Sequence, residues 1–269
     1  YRSKKKAELS EEQLELLGQT KKMLLDEAGD IISAGETQLA DAGLNCNSLI
    51  REGHPSREIV RAAKTLAVDL VVVGSHGLGG IKRFLLGSVS DQVLAYACCS
   101  VLIVRPFHSK PHDIATELEQ AHRLPTKRIL IAYDDSDPAK QAVEFCAALP
   151  LGEDAEVTNL TVLPLLKLYR QDIKQRLSWV WKEKKKLAQK SLERLSNEVK
   201  WGTPHVSTHL RESSDVSHEI LDLAEEIHCN LIVLGHKGKG AIQKFLLGSV
   251  TTRIAHHAPC SVLAVRICS

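Results

Sequence analysis

No stretch of this 269-residue chain has the ~18 consecutive apolar residues that a membrane-spanning helix requires. Charge of one sign is also lacking. Thirty-five Lys and Arg face 33 Asp and Glu, so the net charge is only +2 and the concentrated basic surface of a nucleic-acid binder is not expected. The basic runs Lys4-Lys5-Lys6 and 182–186 read as solvated faces; the second contains Glu183 and lies in a long helical pattern. None of the seven cysteines (46, 98, 99, 146, 229, 260, 268) forms a C-x-x-C metal or redox pair, and most lie in apolar stretches as small buried hydrophobes do. The first residues, Tyr-Arg-Ser-Lys-Lys-Lys, contain no apolar signal segment. A reduced, cytoplasmic protein without nucleic-acid or membrane partners is the expectation.

What is present is a repeat. Gly74-Ser75-His76-Gly77, nine residues and Gly87-Ser88 return as Gly235-His236-Lys237-Gly238, nine residues and Gly248-Ser249, a shift of 235 − 74 = 161. That shift superposes 44–105 on 205–266 without a gap, and 24 of the 62 positions are identical. The unit has the size of a domain and is far longer than the ~20–50 residues of a solenoid repeat. The expected organisation is one copy in 1–107, a linker in 108–126 and a second copy in 127–269. Three linker histidines (108, 112, 122) are irregularly spaced and lack partnering cysteines, so no metal site is expected.

The second copy reads as alternating strands and helices. Residues 128–133 are a short apolar run, followed by Asp134-Asp135-Ser136-Asp137-Pro138, which offers an N-cap and a Pro suited to a first helical turn. Strands follow at 157–163, 206–210, 231–234 and 261–265, with helices between them and one starting at Ser249. Such a pattern implies an α/β fold with right-handed crossovers and a parallel sheet covered on both faces. Ligands then bind beyond the carboxyl ends of the strands, where Asp134 and Gly235 would line one crevice. In the first copy, subtracting 161 puts the counterpart of 128–134 at −33 to −27. That copy should therefore lack two strands and the helix between them, retaining a long helix over 10–42 and a strand near 45–50. The chain is accordingly expected to be a truncated form of a longer protein.

Glycines let backbone N–H groups approach a phosphate, and a helix N-terminus adds unpaired donors and a positive dipole end. Both loops combine these elements, with Ser88 and Ser249 read as helix N-caps whose hydroxyls also face an anion. The loop is neither a Walker A motif nor a dinucleotide fingerprint. Residues 74–90 and 235–251 contain no carboxylate, so neither loop offers a catalytic acid or a metal-holding group. No catalytic residue is assigned.

The segment Val71-Val-Val-Gly-Ser-His-Gly-Leu-Gly-Gly, with Phe84-Leu-Leu-Gly-Ser-Val-Ser90, resembles the universal stress protein family. Both copies match its ATP-binding pattern G-x-x-G, nine residues, G-[S/T]. The resemblance implies five-stranded, doubly wound open parallel sheets of strand order 3-2-1-4-5, two in tandem here. It implies a site for ATP, AMP or ADP, alone or with Mg, formed by Ala132, Tyr133, Asp134, Val162, Gly235, His236, Gly238, Gly248, Ser249 and Val250. In the first copy Gly74, Ser75, Gly77, Gly87, Ser88 and Val89 match the same loop, but the adenosine-holding positions have no counterpart. Asp135 stands where the family usually has Gly, adding negative charge at the crevice mouth. Lys237 has two readings, a phosphate partner or a solvated loop residue. The family also pairs its last strands between subunits, so 99–105 and 260–266 are expected to make a homodimer or an intrachain pseudo-dimer. A nucleotide-binding stress-response or signalling module is the reading; an association module without nucleotide and a slow ATPase or phosphotransferase are the alternatives.

Overall fold

The computed structural model describes residues 10–76, 86–105, 127–165, 171–238 and 247–266, the side chains of 171–177 excepted. The expected linker, Gly77 and most of both nine-residue loops lie outside the described residues. The chain divides into two units, 1–54 and 55–269.

In the first unit, helix α1 (Glu11–Asp41) starts with a reciprocal cap. The Ser10 hydroxyl accepts from the Gln13 amide, and the Gln13 side chain accepts from the Ser10 amide. No α1 residue is buried. Residues 45–50, expected as a strand, have no regular structure. A strand needs a neighbour for its backbone groups. The matching strand of the second copy finds one along nine residues, whereas among the described residues no strand pairs with 45–50.

The second unit contains α2 (Pro55–Thr65), β1 (Leu70–Gly74), α3 (Ser88–Tyr96) and β2 (Ser100–Val104) from the first copy. From the second copy come β3 (Arg128–Ala132), α4 (Asp137–Ala147), β4 (Glu156–Pro164), α5 (Gln171–Glu198) and β5 (His205–Ser213). It continues through α6 (Val216–Glu226), β6 (Leu231–Gly235), α7 (Ser249–His257) and β7 (Ser261–Val265). The strands form one seven-stranded sheet of order β1-β2-β7-β6-β3-β4-β5. Within the second copy all neighbours are parallel, in its own count 3-2-1-4-5 as expected. The two sheets expected in tandem are thus continuous.

They join at the intrachain pairing of the last strands. β2 and β7 run antiparallel, with Val101 opposite Ala264, Leu102 opposite Leu263 and Ile103 opposite Val262. The seam has a local two-fold character. The Ser261 hydroxyl accepts from the Arg105 amide at 3.1 Å, and the matching Ser100 hydroxyl accepts from the Arg266 amide at 3.2 Å. Each arginine then reaches the carboxyl end of the other copy's helix: Arg105 donates to the Ala255 carbonyl at 2.7 Å, and Arg266 donates to the Ala97 carbonyl. Cations suit that end of the helix dipole. One contact breaks the symmetry, the His256–Asp91 pair at 2.9 Å, because Ala95 and Thr252 stand at the matching positions. Both edges of β2 and of β7 are occupied within the chain.

Two apolar layers sandwich the second-copy strands. One face packs Ile129, Ile131, Val157 and Val233 under α4 and α5; the other packs Leu130, Leu160, Ile232 and Val262 under α6 and α7. Strand residues alternate between the faces, as pleat geometry requires. Among the described residues no helix is long and apolar enough to cross a membrane.

Candidate functional site

A cavity of about 1230 Å³ opens at the carboxyl ends of β3, β4 and β6, between α5 and α7. Ala132, Tyr133 and Asp134 enter it from β3, Val162 from β4, and Gly235, Gly238, Gly248, Ser249 and Val250 from the β6–α7 connection. These are nine of the ten second-copy residues expected at a site, collected into one cavity. The tenth, His236, is not in its lining. The His236 ring lies toward β7, with Nδ1 3.2 Å from the Val265 carbonyl. Burial, reinforced by Arg266, pushes the pKa of His236 down to about 4. The neutral ring therefore donates its Nδ1–H to that carbonyl.

The glycines are dictated by close approach. A Cβ on Gly235 would lie 2.6–2.7 Å from backbone and ring atoms of Pro138, so the end of β6 rests directly on the first turn of α4. A Cβ on Gly238 would lie 2.8 Å from Oδ2 of Asp134. The carboxylate of the β3 end and the β6 loop therefore face one another at contact distance. The loop is closed by the Gly248 amide, which donates to the His236 carbonyl at 2.8 Å, and by the Thr251 hydroxyl, which donates to the Gly235 carbonyl at 3.0 Å.

The N-cap of α7 is Gly248, and Ser249 is the first helical residue; Gly87 and Ser88 stand likewise at α3. This corrects the expected N-cap role of the two serines. Glycine has no side chain to offer, and neither helix has a side-chain cap. By contrast α4 is capped by Ser136 and α6 by Asp215. The first-turn amides of α7 thus face the cavity without an intrahelical acceptor, and the Ser249 hydroxyl is exposed beside them. Such a terminus suits an anion.

Asp135 adopts φ 60°, the left-handed region that favours glycine. Its charge is not left bare at the crevice mouth. The Tyr133 hydroxyl donates to it at 2.9 Å, and Lys140 and Arg194 lie at 3.6 and 3.7 Å. Burial raises the Tyr133 pKa, and the neighbouring carboxylate acts in the same direction, so the phenol remains a donor.

Lys237 lines the cavity, as do Lys184, Leu187, Ser191 and Arg194 of α5. The α5 wall was missed from the sequence. Its signal was present in the spacing 184, 187, 191, 194, which places these residues on one helix face. None of the first-copy loop residues lines this cavity. Ser75 is buried, with its hydroxyl 3.0 Å from Nδ1 of His76, and Gly74, Gly87, Ser88 and Val89 repeat the second-copy loop backbone. The repetition is close: the Ser75 amide bonds the Val104 carbonyl at 2.9 Å as His236 bonds Val265, and Gly87 bonds Ser75 as Gly248 bonds His236. Among the described residues no group of three His, Cys, Asp or Glu side chains could hold a metal ion.

The chain thus carries one glycine loop twice on a doubly wound α/β sheet. The model of the universal stress protein family matches residues 2–105 and 125–266, and the chain belongs to that family. A universal stress protein of Mycolicibacterium smegmatis is 30% identical over 238 residues, covering 86% of this chain and 71% of that protein. One from Methanocaldococcus jannaschii is 32% identical over 143 residues, 52% of this chain and 82% of its own length. The crystal structure of a universal stress protein from Archaeoglobus fulgidus superposes with a TM-score of 0.60 at 23% identity, over 97% of this chain and 84% of that one.

Proposed function

We propose that the cavity of the second copy binds an adenine nucleotide, ATP, AMP or ADP, and that the protein is a stress-response or signalling module read out through occupancy. The observation that carries this reading is the contact between Asp134 and Gly238, which brings the β3 carboxylate and the glycine loop to opposite sides of one cavity. The uncapped first turn of α7 and Lys237 suit the phosphates, while Ala132, Val162 and Leu160 offer an apolar surface for a base. In this reading Asp134 accepts from ribose hydroxyls. If Mg accompanies the phosphates, 235–251 has no carboxylate to offer it, and the carboxylates lining the cavity are those of Asp134 and Asp135 on the β3 side. Binding without turnover is favoured because 235–251, the segment suited to the phosphates, offers no base or water-orienting acid for phosphoryl transfer, while Asp134 faces Gly238 and Asp135 is held by Tyr133, Lys140 and Arg194. A phosphate held there would shift the loop between states by its differential affinity for them and by no more.

The test is calorimetry with ATP and AMP, preceded by analysis of nucleotide released when the purified protein is denatured. One adenine nucleotide per chain is expected. Gly248→Val places the Cβ of a branched side chain 3.3 Å from the His236 carbonyl oxygen and from Lys237 Cα, where the anion must approach, and should abolish binding while the protein stays folded. A variant that binds ATP as the wild type does would overturn the assignment. Two equivalent tight sites would show that the first-copy loop is also sufficient.

A further inference from the structure

The second-copy cavity has two halves, one on each face of the sheet's carboxyl edge. Ala132, Leu160 and Val162 line it from the face packed under α6 and α7, joined by Val216 and Ile220 of α6. With Asp134 and the glycine loop, that half is the bed assigned above to the nucleotide. Tyr133 belongs to the opposite face, under α4 and α5, and Thr161 shares that side by the alternation of β4. There the wall is α5, through Lys184, Leu187, Ala188, Lys190, Ser191 and Arg194. The whole volume, about 1230 Å³, exceeds the ~300–1,000 Å³ in which small ligands usually sit.

The positive charge of the cavity is gathered on this second half. Lys184, Lys190 and Arg194 stand there against the single carboxylate of Asp135, whereas the nucleotide half sets Lys237 against Asp134. Lys184 and Lys190 have no ion-pair partner among the described residues. Arg194 is oriented without being used up. The Asp135 carboxylate that it meets at 3.7 Å also takes Lys140 at 3.6 Å, and accepts from the hydroxyl of Tyr133, a residue only 4% exposed. Lys140 does not line the cavity, so it balances Asp135 from outside. A guanidinium has five N–H donors, and one carboxylate oxygen at ion-pair distance leaves most of them for a ligand. This wall belongs to the second copy alone. Carried back along α1, the 161-residue shift sets Met23, Gly29 and Ser33 in the places of Lys184, Lys190 and Arg194.

We propose that the α5 half of the cavity is a second anion subsite, which takes a phosphate group in addition to those of the nucleotide. It rests on the nucleotide reading, because the subsite is the part of the cavity that an adenine mononucleotide leaves open. Phosphate oxygens accept from Arg194 as a planar fork and from Lys184 and Lys190 as point charges. A cleft lined by one sign of charge also concentrates anions before they bind. The phosphate is carried by a separate phosphorylated small molecule or by the far end of a dinucleoside polyphosphate that spans both halves.

The experiment is calorimetric titration of inorganic pyrophosphate into the full chain already saturated with ATP, so that the glycine loop is filled. One pyrophosphate per chain is expected, with an affinity that falls as salt is raised. Lys184→Gln combined with Lys190→Gln should weaken it about tenfold, while ATP binds within about twofold of wild type. Diadenosine tetraphosphate separates the two sources. An affinity roughly tenfold or more above that of ATP, lost in the double variant, assigns the subsite to the far end of one ligand. An affinity equal to that of ATP, with pyrophosphate still bound beside ATP, assigns it to a separate molecule. Two results overturn the proposal. In one, the ATP-saturated chain takes no pyrophosphate and the tetraphosphate gains nothing over ATP, or the double variant changes neither. In the other, ATP itself loses about tenfold in that variant, and the wall then serves the nucleotide. Failure of the nucleotide reading shows separately, as ATP that does not bind. Pyrophosphate titrated into Gly248→Val then still reads the α5 wall: binding that depends on the two lysines keeps the subsite, and its absence removes it.

Discussion

Val72 and Val233 occupy matched positions in similar strands, Leu70-Val-Val-Val-Gly74 and Leu231-Ile-Val-Leu-Gly235, yet Val72 is 56% exposed and Val233 is fully buried. Val104 and Val265 repeat the contrast at 42% against 0%. The local sequences differ little; the surroundings differ far more. Val233 and Val265 lie under α4, in a cluster with Ile129 and Ile131 of β3, whereas among the described residues no strand pairs with the outer edge of β1. Burial is therefore a property of the sheet's neighbours, and the same holds for the site. Both loops share their backbone bonds, but only the second has a Pro138, an Asp134 and a Val162 set against it. A glycine loop alone provides donors for a phosphate; the β3–α4 corner turns it into one wall of a cavity.

The sharpest way to break this comparison is Gly235→Ala against Gly74→Ala. A methyl at 235 meets Pro138 at 2.6 Å and must push α4 off the sheet, costing about 2–3 kcal/mol of stability. At 74 the nearest atom is the His76 carbonyl oxygen at 3.4 Å, an ordinary contact, and the change should stay within about 0.5 kcal/mol. Urea denaturation measures both. Equal losses would mean that the glycines shape their turns alike and that the α4 contact is incidental.

The seam supports a second, smaller comparison. Arg105→Ala removes bonds to two helix-end carbonyls and should cost about 2 kcal/mol. Arg266→Ala, from a less buried position, should cost about 1 kcal/mol. If the second loss exceeds the first in thermal unfolding, the buried guanidinium contributes little to joining the copies.

How much of this was legible follows the same division. The order of strands and helices in the second copy could be read because each apolar run packs within that copy. The seam could be read because 99–105 and 260–266 are nearly the same strand. The segment 45–50 was misread because its alignment with β5 says nothing about whether a partner strand is present. The serine N-caps were misread because the G-S order fits either residue at the cap, and the choice depends on where the chain turns to let Gly248 bond His236. Arg194 and Lys184 belong to no loop motif, because a helix face closes the cavity and its polar side chains look in sequence like those of any solvated helix.

The smallest effect separates the loops by pH. His236 stands where the first copy has Ser75, and its folded pKa is pushed down to about 4 by burial and by Arg266. Unfolded, a histidine titrates near 6.5. Between these values the unfolded chain binds more protons, so stability rises with pH there. The contribution of the neutral ring is fully present above about pH 6.5 and is lost as pH falls towards 4. Partial exposure to solvent reduces the effect to about 1 kcal/mol. His236→Ser installs the first copy's residue and should remove this component. The difference between wild-type and variant stability, from urea denaturation at pH 7.5 and pH 4.5, is then expected to shrink at the lower pH. A difference that stays constant would show that His236 keeps an ordinary pKa in the folded protein, and that the two loops present the same electrostatic surface despite their different residues.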